Sequence, residues 1–233
     1  MRAARSGQLP AAMRISPSYP MLKRLLLLAG WLGVAAVCGV WPLRAQVDPA
    51  SLPARESHQG VTVAAKPMLG EAAYRSQFGG RTPYEAGILA LEVFFRNDND
   101  KPIRVNLAAM RLLVSRPGES LQRIAPLSAE EVANRVLLEA PSDPRRPRLP
   151  LPGRVPNTGR DKNWQELSAR LQAAGVNSDI VGPKATVRGF LYFDVNHHYD
   201  WLSSARLDVP DLAFMLNNEA LFFFQVDLAP ALR

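Results

Sequence analysis

The stretch FFRNDNDKPIRVNL, residues 94–107, decides the fold. Asn97, Asp98, Asn99 and Asp100 are side chains that hydrogen-bond back to their own backbone and favour turns, and Pro102 then leads into Ile103, Val105 and Leu107, which alternate with Arg104 and Asn106. This spacing predicts two antiparallel strands joined by a tight hairpin. Upstream, Leu89, Leu91, Val93 and Phe95 share one face of a long strand, and Val61, Val63 and Ala65 share one face of an earlier one. Downstream, residues 111–115 and 121–125 flank the turn sequence Arg116-Pro117-Gly118-Glu119-Ser120 and predict a second hairpin.

Alternation returns near the carboxyl end. Ala185, Val187, Gly189, Leu191, Phe193 and Val195 share a face, as do Ala205, Leu207 and Val209, and then Phe222, Phe224, Val226 and Leu228. Eight strands are expected in all. Two helices interrupt them. Ser128 and Glu131 form a capping box ahead of Ala133, Val136 and Leu137, and Asn163 with Glu166 repeats the pattern ahead of a stripe of Trp164, Leu167 and Leu171. Residues 141–162 carry six prolines, which remove backbone donors, and so predict a long Pro/Arg-rich loop. Phe94, Phe190, Tyr192 and Phe223 lie opposite the main apolar set, so something must cover them; the second helix is expected to do so.

The amino-terminal stretch sets the compartment. Lys23 and Arg24 precede an uncharged run, residues 25–43, closed by Arg44, Ala45 and Gln46. A charged start, an apolar centre and a small residue before the break are the grammar of an export signal. Residues 1–45 are therefore an extension with an export signal or signal anchor, residues 46–60 a polar linker, and residues 61–233 the folded domain. Cutting before Gln46 would discard Cys38, the chain's only cysteine. Residues 22–43 are also long enough to stay in a bilayer as an anchor. Lipidation of Cys38 is disfavoured because β-branched Val37, not a small residue, precedes it. Each outcome places the domain in the periplasm or outside the cell.

Export changes the reading of charge. The chain has 28 basic and 21 acidic residues, a net +7, but six of the basic residues and none of the acids lie in residues 1–45. What remains is near neutral, so no general field for nucleic acid is left. Without Cys38 no disulfide can form either, and the fold rests on its core.

These features, with the strand ALEVFFRNDNDKPIRV and the late strand KATVRGFLYFDV, resemble the telokin-like, immunoglobulin-like β-sandwich domains of bacterial envelope proteins. The resemblance implies a mainly β, antiparallel immunoglobulin-like sandwich with about two added helices. It implies no catalytic residue.

Chemistry-bearing motifs are few. DVNHHYDW, residues 194–201, gathers Asp194, His197, His198 and Asp200, all competent metal ligands. A polar loop with Asx turns explains them better, since adjacent histidines diverge on an extended chain and the calcium-loop glycine and glutamate are missing. The chain lacks a G-x-S-x-G elbow, and GPKAT, residues 182–186, lacks a phosphate loop's ending. No cofactor, small-molecule substrate or catalysis is expected. Arg145, Arg146, Arg148 and Arg154 in the Pro-rich loop are candidates for touching an anionic membrane surface or an envelope protein. Phe190 and Tyr192 are candidates for a partner surface, or for lining an apolar ligand cavity between sheet and helix, as in a carrier. A metal-dependent enzyme is the third alternative, and an envelope interaction or assembly module the first.

Overall fold

Strand β3 (Ile88–Asn97) organises the molecule, pairing along its length with β9 (Ala185–Asp194), from Ile88 opposite Asp194 to Asn97 opposite Ala185. Its other edge pairs with β2 (Val61–Pro67), which pairs in turn with β1 (Arg55–His58). The computed structural model describes residues 47–115, 118, 120–137 and 162–233, and Val47–Arg233 forms one unit. Part of the expected linker thus belongs to the sheet. Pro49–Ser51 forms a 3-10 turn capped by the Asp48 carboxylate, and Arg55–His58 is the edge strand, turned back on β2 through Gln59 and Gly60, both at positive φ. Short β7 (Pro126–Leu127) completes this first sheet in the order β1-β2-β3-β9-β7.

Two smaller sheets make up the second β layer. One has β4 (Ile103–Val105) between β8 (Ile180–Val181) and β11 (Leu212–Phe214). The other runs β12 (Phe224–Asp227), β10 (Ala205–Val209), β5 (Arg111–Val114), β6 (Gln122–Ile124). Every strand pair is antiparallel, and the architecture is mainly β with added helices. Leu89, Leu91, Val93 and Phe95 of β3 and Leu191 and Phe193 of β9 share one core with Ile103, Leu112, Leu207, Leu212, Phe224 and Val226 of the second layer. Fully burying side chains of this size stabilises by roughly 1.5–3 kcal/mol each.

The expected hairpin at residues 97–102 is not one. β3 and β4 do not pair; the chain leaves the first sheet at Asn97 and enters the second layer at Ile103. Fully buried Asn97 makes the corner. Its Nδ2 donates to the carbonyls of Lys101 at 2.8 Å and Gly182 at 3.0 Å and lies 3.3 Å from that of Val181, while its Oδ1 accepts from the Asn99 amide at 3.0 Å. The second expected hairpin does pair, with Leu112 opposite Ile124 and Val114 opposite Gln122.

The first sheet is buried on its other face too. Ile88, Ala90 and Tyr192 pack under three helices: α1 (Glu71–Phe78), α2 (Ala129–Leu137) and α3 (Lys162–Ala174). The capping box of α2 forms, with the Ser128 amide donating to Glu131 Oε2 at 2.7 Å and the Glu131 amide to Ser128 Oγ at 3.2 Å. α3 begins at Lys162, so Asn163 lies in its first turn rather than at its cap. α1 was not expected; its short segment buries only Tyr74 and Phe78, four residues apart, between Gly70 and Gly79. α3 meets β9 backbone to backbone, because a Cβ on Gly189 would fall inside contact distance of the Gly175 carbonyl.

Two variants test this frame by thermal unfolding. Asn97→Ala should cost about 3 kcal/mol by leaving buried carbonyls unpaired, and Asn97→Asp should cost more, since a carboxylate would face those carbonyls without a donor. Gly189→Ala should cost roughly 1–3 kcal/mol or more by pushing α3 off the sheet.

Candidate functional site

The loop after β9 is built from its own turn residues. Asn196 and His197 adopt positive φ in succession, the Asn196 amide donates to Asp194 Oδ1 at 3.0 Å, and the His198 amide donates to the Val195 carbonyl at 2.8 Å. The turn packs on Gly87, where a Cβ would meet the His197 amide nitrogen at 2.6 Å. The four candidate ligands are placed apart, each in its own surroundings. Asp194 Oδ2 is held by Arg135 of α2. The His198 ring stacks on Trp201, centroids 4.5 Å apart and planes nearly parallel, with its Nδ1 3.9 Å from exposed Asp200. Among the described residues no group of three His, Cys, Asp or Glu side chains is placed to hold a metal.

Phe190 and Tyr192 face the helices, as expected. Phe78 of α1 lies edge-on to both rings, at 5.8 and 6.1 Å, and the Tyr192 hydroxyl donates to the Leu171 carbonyl at 2.9 Å. Trp164, Leu167 and Leu171 belong to the same buried cluster as Tyr192, with Phe190 packed against it. Phe94 is covered by Leu52 and Ala64 instead of a helix. Arg145, Arg146, Arg148 and Arg154 lie outside the described residues.

Beside them sits a tyrosine cluster that completes the backbone of β3. β2 ends at Pro67, and beyond it the Tyr74 hydroxyl accepts from the Ala90 amide at 2.7 Å and lies 3.3 Å from the Ile88 carbonyl. Tyr199 stacks on Tyr84 with centroids 4.6 Å apart, its hydroxyl 3.2 Å from the Tyr84 carbonyl and 3.4 Å from that of Ile88. Burial pushes the phenols of Tyr74, Tyr192 and Tyr199 well above the ordinary value, because the phenolate would lose its water.

The surface that sequence reasoning missed is the hairpin at residues 212–223. Ala213 bridges Ala220, the Phe214 amide donates to the Glu219 carbonyl at 2.9 Å, and the Met215 amide donates to the Pro102 carbonyl at 3.0 Å. On it Leu216 is 75 % exposed, Phe222 67 %, Phe223 59 % and Met215 42 %. Phe222 and Phe223 therefore depart from expectation: Phe222 precedes the strand instead of packing inward, and Phe223 is left uncovered. The run FMLNNEALFFF, residues 214–224, carries the signal, but its aromatics read as another core strand until their partners are known. Phe222 is fixed by its amide, which donates to Gln59 Oε1 at 2.9 Å, and lies edge-on to His58 at 6.2 Å. His58 stacks on Phe224 at 3.8 Å. A cleft of about 590 Å³ lined by Arg104, Asn106, Asp179 and Asp211 opens along β4 and β11. Its carboxylate Asp211 accepts from Asn106 Nδ2 at 3.2 Å.

No family model matches the chain, and no curated protein matches it. Among solved structures, a functionally unknown protein from Listeria monocytogenes EGD-e is similar over 66 % of this chain and 69 % of its own, at 11 % identity and a TM-score of 0.32, a likeness too low to carry any argument. Among the described residues no helix is long and apolar enough to cross a membrane.

The tyrosine cluster yields a pH dependence. A phenol with a raised native value keeps its proton where the unfolded chain, titrating near 10.0, has lost it. Stability from this source is therefore constant below pH about 10 and falls as pH rises above it. Spectrophotometric titration should show three of the five tyrosines failing to ionise until the protein unfolds. Tyr199→Phe should lessen the alkaline loss while costing about 1 kcal/mol at neutral pH.

Proposed function

We propose that Val47–Arg233 is a non-catalytic interaction module working outside the cytoplasm, in the cell envelope. The observation that carries this reading is the exposed apolar hairpin. Met215, Leu216, Phe222 and Phe223 present large apolar side chains to solvent from one end of a domain whose other apolar residues are largely interior. Exposed large apolar side chains gathered on one hairpin favour a contact surface. Of the candidate chemical groups, by contrast, Asp194 is paired with Arg135, His198 stacks on Trp201, and Phe190 and Tyr192 meet Phe78. The export signal read from residues 21–46 supports the compartment. What supports an immunoglobulin-like reading of the β layers is that their strand pairs are all antiparallel and both layers share one core.

The test joins location to contact. Alkaline phosphatase fused after Arg233 should be active in a bacterial host, as only exported fusions are; an inactive fusion with intact protein overturns the compartment. A photo-crosslinking residue in place of Phe223 should then form envelope adducts in intact cells, whereas the same residue in place of Asp200 should form few. Equal yields at both positions would overturn the hairpin as the contact surface.

A further inference from the structure

We infer that the seam between β1 and β12 is a pH-sensitive joint, closed while the His58 ring is neutral and loosened when the ring takes up a proton. This goes beyond the interaction-module reading and stands without it. β1 is the outer strand of the first sheet and β12 the outer strand of a sheet in the second layer, and among the described residues no ladder joins them. Side chains hold the two edges together instead. The Glu56 carboxylate accepts from the Gln225 amide through Oε2. His58, at the end of β1, lays its ring on that of Phe224, centroids 3.8 Å apart and planes 11° from parallel, and Phe222 meets it edge-on at 6.2 Å. Phe224 is itself fully buried in the core that both β layers share, so the histidine closes that core at its rim.

The two ring nitrogens have unlike surroundings. Nε2 lies 3.7 Å from Glu56 Oε1. Nδ1 is shut off from solvent and has no hydrogen-bond partner among the described residues. A neutral ring suits this arrangement, with the hydrogen on Nε2 and only a lone pair on Nδ1. An imidazolium carries a hydrogen on both nitrogens, and the one on Nδ1 would be buried as part of a charged group without an acceptor. Turning Nδ1 to water would lift the ring off Phe224, so the relief is the opening itself. Glu56 favours the charged ring, but it is partly exposed, stands beyond hydrogen-bond distance and already serves the Gln225 amide, so it returns less than the buried N–H costs. Among the described residues no other charged group pairs with the ring. β2 meets His58 with Val61 and carries Lys66 beyond Ala64, the partner of Arg55. Arg55 donates to the Leu52 carbonyl at 2.6 Å. β12 meets the ring with Phe224 and carries Asp227 at its far end. Asp98, whose amide donates to the Gly60 carbonyl, has its carboxylate on Arg96. The seam is therefore tight while the ring is neutral and weakens as pH falls through the range, about 8 to 5, in which histidine gains its charge.

Hydrogen exchange of the full chain, read amide by amide as protection factors so that the intrinsic pH dependence divides out, tests this. The reporters are the amides that the seam holds, Gln225 on Glu56 and Phe222 on Gln59. Between pH about 7.5 and about 5.5 their protection should fall by about tenfold or more, while amides of the β3–β9 ladder keep theirs. His58→Phe keeps a ring on Phe224 and cannot take up a proton, so it should abolish the fall; His58→Leu replaces it where the larger ring lowers the melting temperature. His197 and His198 remain in both variants, so a fall that persists in them would come from elsewhere and overturn the inference. Glu56→Gln keeps an acceptor for the Gln225 amide and should leave the fall in place, and its disappearance there would assign the effect to the carboxylate instead. Protection that is unchanged or higher at the lower pH in the parent chain would overturn the inference outright, the second result showing that the Glu56 pair outweighs the buried N–H. None of these readouts involves export or a partner, so they stand apart from the tests of the interaction module.

Discussion

Everything in the second β layer depends on how one buried amide turns the chain. Asn97 ends β3 fully inside the protein, yet it leaves few buried groups unpaired, because its side chain answers the carbonyls that the crossing exposes. Its two N–H groups serve Lys101, within the turn, and Gly182 and Val181, in the segment that leads into β9. The Asn99 amide takes the remaining oxygen. One residue therefore binds the turn to itself and to the neighbouring loop, and a hydrocarbon or a carboxylate of the same size could do neither. Lys184 reinforces the junction from outside, donating to the Asp98 carbonyl at 2.6 Å.

Because the chain crosses there instead of turning back, β3 keeps both edges for other strands and becomes the centre of the first sheet. A central strand between two layers must be apolar on both faces. β3 obeys: Leu89, Leu91, Val93 and Phe95 meet the second β layer, while Ile88 and Ala90 meet the helices and Phe94 meets Leu52. β9 does the same with Leu191 and Phe193 on one side and Phe190 and Tyr192 on the other. The helices then come close enough that Gly189 and Gly175 touch through their backbones. The aromatic residues expected to need a cover are thus explained by the position of their strand.

How much of this could be read from residues alone follows from which interactions are local. Alternation along β3 and β9 and the Ser128–Glu131 box depend on neighbours in sequence, and both were legible. The corner was not. Asn-Asp-Asn-Asp serves a hairpin and a crossing equally well, and the difference lies in a carbonyl 85 residues away at Gly182. Arg55–His58 was hidden for a similar reason: a short polar edge strand has no alternation to show, and only its pairing with β2 defines it. α1 has two buried residues in eight, too few for a helical stripe. Of the candidate site, the turn character of the histidine loop was legible, though its Asx turn closes on Asp194 rather than on Asn196 or Asp200, while the hairpin at 212–223 was obscured because exposed and buried phenylalanines look alike in sequence.

The same corner brings the exposed surface into being. Pro102, the residue that enters the second layer, presents its carbonyl to the Met215 amide, and Lys101 lies 5.8 Å over the Phe214 ring. β11 pairs with β4 in the register Phe214 opposite Ile103, which carries residues 215–218 past the end of β4 into solvent. On the return, Leu221 regains a ladder bond to Leu212 and is buried, but Phe222 and Phe223 must bridge to β12 across the outside of the β1–β2 turn. Gln59 fixes that bridge through the Phe222 amide, and His58 receives the ring edge-on. A chain with only interior packing to satisfy would place polar residues at these bridging positions, where exposure costs nothing. Leucine and phenylalanine there, held by backbone contacts and kept out of the core by register, are the residues on which the proposed contact surface rests.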